Sequence, residues 1–170
     1  LDADAILLIA RMSSTPSNAR QTLISDFIAG CKTDGNWTEI EVLAFLAADV
    51  SSNALLNWKE NASNPTLVNA PTSTVDRGYT CNGTSQYINS NFNLSTASKY
   101  LANNASFGFY YNVAGVPTAR YNGAHNGTNY HFCRISDSSP DDAICAISTD
   151  GSEDARSSSK RARGSGVSVG

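Results

Sequence analysis

The stretch RYNGAHNGTNYHFCRI, residues 120–135, decides how the chain is read. Its Asn126-Gly127 dipeptide accepts the positive φ angles of a tight turn. Beyond it, Tyr130, Phe132 and Arg134 alternate with His131, Cys133 and Ile135. A period of two marks a strand whose faces meet different surroundings. The stretch predicts a strand near Tyr121 returning through the turn into an antiparallel partner.

The same texture extends in both directions. Phe107, Phe109, Tyr111 and Val113 alternate with Gly108, Tyr110, Asn112 and Ala114, and Ile144 to Ile147 gives a further strand. Turn dipeptides recur at Asn82-Gly83, Asn122-Gly123 and Asp150-Gly151. Short strands with no helix between them predict an antiparallel β-sandwich over residues 51–150. Asp76-Arg77-Gly78 reads as a turn whose glycine tolerates positive φ, with Tyr79 and Tyr87 packed on either side of the Asn82-Gly83 turn. Leu56 and Trp58 are expected to anchor an early strand while Lys59 faces solvent.

Residues 1–50 follow another period. Ile6, Leu7, Leu8, Ile9 and Met12 follow Asp2 and Asp4, acids suited to the positive start of a helix. Thr15 then Pro16 reads as a cap and first turn of a second helix, in which Leu23, Ile24, Phe27, Ile28 and Cys31 form one apolar stripe and Cys31 is buried. Gly30 and Gly35 bracket its end. Thr38 and Glu41 have capping-box spacing, with Trp37 able to staple onto Val42, and Ile40, Leu43, Phe45, Leu46 and Ala47 follow. That pattern predicts a third helix and a small helical bundle. Residues 151–170 carry Ser, Arg and Gly with almost no apolar content, and four of the twelve basic residues lie at Arg156, Lys160, Arg161 and Arg163. Such a tail buries no core of its own and is expected to be mobile or an extended arm that meets a neighbouring subunit.

Composition narrows the function classes. Charged residues are 16% of the 170, below the usual quarter, and Asn, Ser and Thr make up roughly three in ten. A net charge of −3 gives no general attraction to nucleic acid or anionic membranes. No apolar run approaches the ~20 residues of a membrane-spanning helix, and no signal peptide is visible. The chain opens on Leu1, as expected of an excerpt or processed form. Cys31, Cys81, Cys133 and Cys145 have no CxxC spacing, which argues against a zinc knuckle or redox motif, while Cys133 and Cys145 fall in two predicted strands that can face each other and are candidates for a disulfide, which an even count permits but does not show.

Two sets of residues carry a resemblance. The first is Asp2-Ala3-Asp4-Ala5 through Arg11-Met12, followed by Pro16-Ser17-Asn18-Ala19-Arg20. The second is Leu56-Asn57-Trp58-Lys59, Val68-Asn69-Ala70-Pro71-Thr72, Asp76-Arg77-Gly78-Tyr79-Thr80, Asn82-Gly83-Thr84-Ser85 and Tyr87-Ile88. In this order, over roughly residues 2–135, they resemble a family of phage and prophage proteins in which a short helical segment precedes a concanavalin-like (laminin-G-like) jelly roll. The resemblance implies a virion protein, often tail- or fibre-associated, and no catalytic residues. The sequence departs from the usual family length after about Asp150, so the remaining strands of the jelly roll are missing here or come from another chain.

The β region offers no pair of carboxylates spaced along one strand face, as retaining glycosidase chemistry needs at about 5–5.5 Å. Asp141-Asp142 and Glu153-Asp154 are adjacent, so each pair splits between faces. His125 and His131 have no third ligand suggested by spacing. Asp137, Asp141 and Asp142 in one loop are oxygen ligands suited to calcium, or else a solvated turn. Tyr110, Tyr121 and Tyr130 with Asn112 and Asn122, beside Tyr100 and Asn129, have a sugar-binding composition, in which rings stack on sugar faces and amides meet hydroxyls. Six Asn-x-Ser/Thr sequons carry no glycan in a phage.

The sequence therefore predicts an α+β protein: an N-terminal helical bundle, then an antiparallel sandwich, then a basic tail. The expected role is a non-enzymatic virion structural component, a homo-oligomer on the particle surface without cofactor. Phe27, Leu43, Arg156, Arg161 and Arg163 are its expected assembly residues. The alternative is a host-surface polysaccharide binder.

Overall fold

A computed structural model describes residues 1–93, 96–99 and 108, together with the strand backbones at 120–125, 130–135, 142–148 and 157–160. The fold mixes helices with antiparallel sheets, and the chain divides into two compact units, Leu1–Lys99 and Tyr100–Gly170. No helix among the described residues is long and apolar enough to cross a membrane.

In the first unit, α1 spans Ala3–Ala10 and α2 spans Asn18–Thr33. The Asp2 side chain accepts from the Asp4 amide at 2.9 Å and caps α1. The cap of α2 is Ser17, whose Oγ accepts from the Arg20 amide; Thr15 and Pro16 precede it, so the helix starts later than the sequence suggested. Pro16 instead leaves a carbonyl that accepts from Gln21 Nε2 at 2.8 Å. Gly35, at φ +75°, ends α2 in the left-handed conformation that glycine adopts without steric cost.

Ala5, Leu8, Ile24, Ile28 and Trp37 form the core of this unit, with Ile9, Met12, Cys31, Ile40, Leu43, Leu56 and Trp58 packed against it. The α2 stripe is narrower than its spacing implied. Ile24 and Ile28 are buried and Cys31 is half-buried, while Leu23 and Phe27 face outward.

The third helix does not form. After one turn, closed by the Ile40 amide on the Asn36 carbonyl at 3.2 Å, the chain runs without helix or strand through residues 42–48. Thr38 Oγ1 donates back to the Gly35 carbonyl rather than capping. Glu41 is committed elsewhere: its carboxylate accepts from the backbone amides of Ser98 and Lys99 at 2.6 and 2.9 Å. Trp37 is buried among the helices rather than stapled to Val42. The Leu43 amide donates to Asn57 Oδ1 at 3.1 Å, and its carbonyl accepts from the Trp58 amide at 2.7 Å. Tertiary partners thus claim the donors and acceptors that a helix would have used.

A 3₁₀ turn at Asn53–Leu55 follows. Leu56 to Trp58 is loop rather than strand, and Lys59 is half-buried, its Nζ donating to the Trp37 carbonyl and lying 4.5 Å from the Trp37 ring. Four short strands then nest: β1 (Thr66–Val68) pairs with β4 (Tyr87–Asn89), and β2 (Thr72–Thr74) pairs with β3 (Gly78–Thr80), all antiparallel. The turn at Asp76-Arg77 leads into Gly78 at φ +94°, as the sequence suggested. Tyr79 and Tyr87 flank Asn82-Gly83 but sit in different sheets. Asn82 closes its loop from the side chain, Oδ1 accepting from the amides of Thr84, Ser85 and Gln86 at 3.0 to 3.1 Å.

The second unit contains a four-stranded antiparallel sheet in sequence order: β5 (Arg120–His125), β6 (Tyr130–Ile135), β7 (Asp142–Ser148) and β8 (Ser157–Lys160). The hairpin read from residues 120–135 is the β5–β6 pair, with His125 opposite Tyr130 and a register shift between Arg120 and Asn122. β8 falls within the stretch read as a basic arm, and its backbone pairs with β7. The strand expected over residues 107–113 lies, Gly108 aside, outside the described residues, as do the Asn126-Gly127 and Asp150-Gly151 turns.

Candidate functional site

α2 brings Leu23 and Phe27 to one outer face because they are four residues apart, about one helical turn, and each lies one residue round the helix from the buried Ile24 and Ile28 row. The loop after Ile40 delivers Phe45, Ala47 and Ala48 beside them, and the loop after Leu55 delivers Trp58. Phe27 meets the other two rings edge to face, 5.1 Å from Phe45 at 85° and 5.9 Å from Trp58 at 90°. Phe45 and Trp58 are 4.3 Å apart, tilted by 47°. With Met12, Pro16 and Ile24 they line an open apolar cleft of about 200 Å³. Its walls stay partly in water: Leu23 is 69% exposed, Phe27 40% and Phe45 36%.

The polar rim is already paired. Arg20 donates to Asp76 Oδ1 at 2.8 Å and stands 3.7 Å from Asp49. Asn53, buried at the floor, donates to the Ser14 carbonyl at 2.9 Å and accepts from the Ser13 amide at 3.1 Å. The cleft therefore offers apolar surface bordered by charges of both signs.

No protein-family model, characterised protein or solved structure matches the chain.

A second cluster holds the helices in place. Lys32 Nζ bridges Asp2 Oδ1 at 2.7 Å and Asp4 Oδ2 at 2.8 Å, and Trp37 Nε1 donates to Asp4 Oδ2 at 2.8 Å. The hydrogen bond from Lys32 is the main reason both carboxyls titrate below the ordinary carboxylate value, and the same bonds raise Lys32. Burial lowers Lys59 under Trp37. Every charged group in this cluster has a structural partner.

The expected assembly residues separate. Phe27 is exposed at the cleft, whereas Leu43 packs on the core with both backbone groups bonded. Arg156, Arg161 and Arg163 lie outside the described residues, as do Tyr110 and Asn112 of the sugar-binding set. Tyr121 falls at the register shift of β5. Asn122 pairs with Cys133 and His125 with Tyr130, so alternation puts Asn122 and Tyr130 on opposite faces of the sheet. Of the calcium candidates, Asp137 and Asp141 lie outside the described residues, and Asp142 is not a loop residue: it opens β7 at register with Lys160. The aromatic cleft is not legible in the sequence, because local pattern puts Phe45 in a helix and Trp58 in a strand. The only local signal for it was Phe27.

Proposed function

We propose that this chain is a structural component of a bacteriophage particle that assembles with copies of itself through the cleft around Phe27. Its strand-rich remainder is a concanavalin-like sandwich that projects from the assembly. The order of the helical and turn motifs supports the particle reading, because it resembles phage proteins of that layout. The observation that carries the docking role is the outward position of Leu23, Phe27 and Phe45, three large apolar groups around one cleft. A second copy is the favoured occupant because Arg20 borders the cleft beside Asp49 and Asp76. A rim carrying both signs is self-complementary when the same patch meets itself about a two-fold axis.

The test is the solution mass of the full chain by light scattering after gel filtration. A dimer or larger closed assembly is expected, reduced to monomer in Phe27→Asp with unchanged circular dichroism. A monomeric parent chain at tens of micromolar overturns self-assembly through this cleft. A host-polysaccharide role has less support, since two of its expected residues occupy opposite sheet faces.

A further inference from the structure

The β6–β7 ladder runs through six consecutive register pairs without a shift, from Tyr130 with Ser148 to Ile135 with Ala143. Within it Cys133 stands directly opposite Cys145. Directly opposed residues of an antiparallel pair share a face, and their Cα atoms are about 4.5 Å or about 5.5 Å apart depending on ladder position. Both separations lie inside the range of about 4.4–6.8 Å that a disulfide spans. The other two cysteines have no such placement: Cys31 and Cys81 are free thiols in the first unit.

We infer that Cys133 and Cys145 are a redox modification site that forms a cross-strand disulfide. The oxidant is a low-molecular-weight disulfide. One protein thiolate attacks a sulfur of the reagent and releases one reagent thiol. The second protein thiolate then attacks the mixed disulfide and releases the other. The protein loses two protons and two electrons, and the reagent gains them as two thiols. Pairing in the sheet raises the effective concentration of one thiol at the other, so the folded chain oxidises more readily than the unfolded chain. The inference is independent of the particle role.

Trypsin sites at Lys and Arg put each cysteine on its own peptide, with Cys133 in residues 121–134 and Cys145 in residues 135–156. The full chain is equilibrated with oxidised and reduced glutathione, alkylated, digested without reduction and analysed by mass spectrometry, both folded and in urea. The expected result is a linked pair of those two peptides, with Cys31 and Cys81 alkylated. The equilibrium constant for the bridge should be at least about tenfold greater folded than in urea, about 30 mV for a two-electron couple. The urea comparison is needed because these cysteines are also the closest in sequence, and short loops close most easily. Cys133→Ser should leave Cys145 alkylated or held as its glutathione mixed disulfide, with no linked peptide. Alkylation of both residues in the oxidised folded chain, an equal constant in urea, or linkage of either residue to Cys31 or Cys81 overturns the inference.

Discussion

Asn57 shows how much one residue organises here. It is fully buried, and its Oδ1 accepts from the Leu43 and Lys59 amides, both at 3.1 Å, while Nδ2 donates to the Ala62 carbonyl at 2.9 Å. Its own amide donates to Asn64 Oδ1 at 2.8 Å, and its carbonyl accepts from Arg11 at 2.7 Å. Asn57→Ala strips partners from three backbone groups and is expected to cost about 2–4 kcal/mol, read as a lower urea midpoint with unchanged slope. A loss below about 1 kcal/mol would show that water replaces the amide. The Asp2, Asp4 and Lys32 cluster gives a pH signature. The depressed carboxyls contribute stability that is fully present above their ordinary value of 3.8 and lost as pH falls through their lower folded values. Raised Lys32 contributes below its ordinary 10.5 and loses that contribution only as pH rises through its higher folded value. The Trp37 indole N–H resonance should therefore hold steady across the neutral range and move only below pH 3.8, and Asp4→Asn should abolish that acid step. A step between pH 5 and 7 would contradict the assignment.

At the scale of elements, the helices obey their caps and the third one does not. Asp2 and Ser17 cap within their own segments, so α1 and α2 are local decisions. Thr38 and Glu41 have equally good local spacing, yet Glu41 bonds backbone at Ser98 and Lys99, 57 and 58 residues away. The loop over residues 42–48 is also tied to the β2–β3 hairpin. The Asp76 amide donates to the Ala48 carbonyl at 2.9 Å, and a Cβ at Gly78 would come within 3.6 Å of the Leu46 carbonyl oxygen. Gly78 has φ +94°, which side-chain-bearing residues avoid. Gly78→Ala is therefore expected to destabilise the first unit by about 1–3 kcal/mol, measured by urea unfolding. No change would mean that the hairpin relaxes away from residues 46–48. Asp76-Arg77-Gly78 was legible as a turn, but its docking on Leu46 and Ala48 was not, since nothing local records a partner thirty residues away.

At the scale of the molecule, the helices do not form a separate bundle. Leu56 and Trp58 pack on the same core as α1 and α2, and the first compact unit continues to Lys99. The change of texture near Ser51 is thus a change of local structure within one unit. The sequence by itself determined what depends on near neighbours: the two capped helices, the glycine stop at Gly35, the Asp76-Gly78 turn and the β5–β6 hairpin. These follow from φ preferences, capping bonds and two-residue alternation, which act over a few residues. Only the tertiary structure decided that Trp37 is core, that residues 42–48 form neither helix nor strand, that Asn57 is a buried hub and that Phe45 and Trp58 meet Phe27. It likewise decided that Cys133 stands opposite Cys145, because strand register is fixed by the whole ladder rather than by either strand. Burial and long-range hydrogen bonding outweigh local propensity wherever a distant group offers the backbone a better partner.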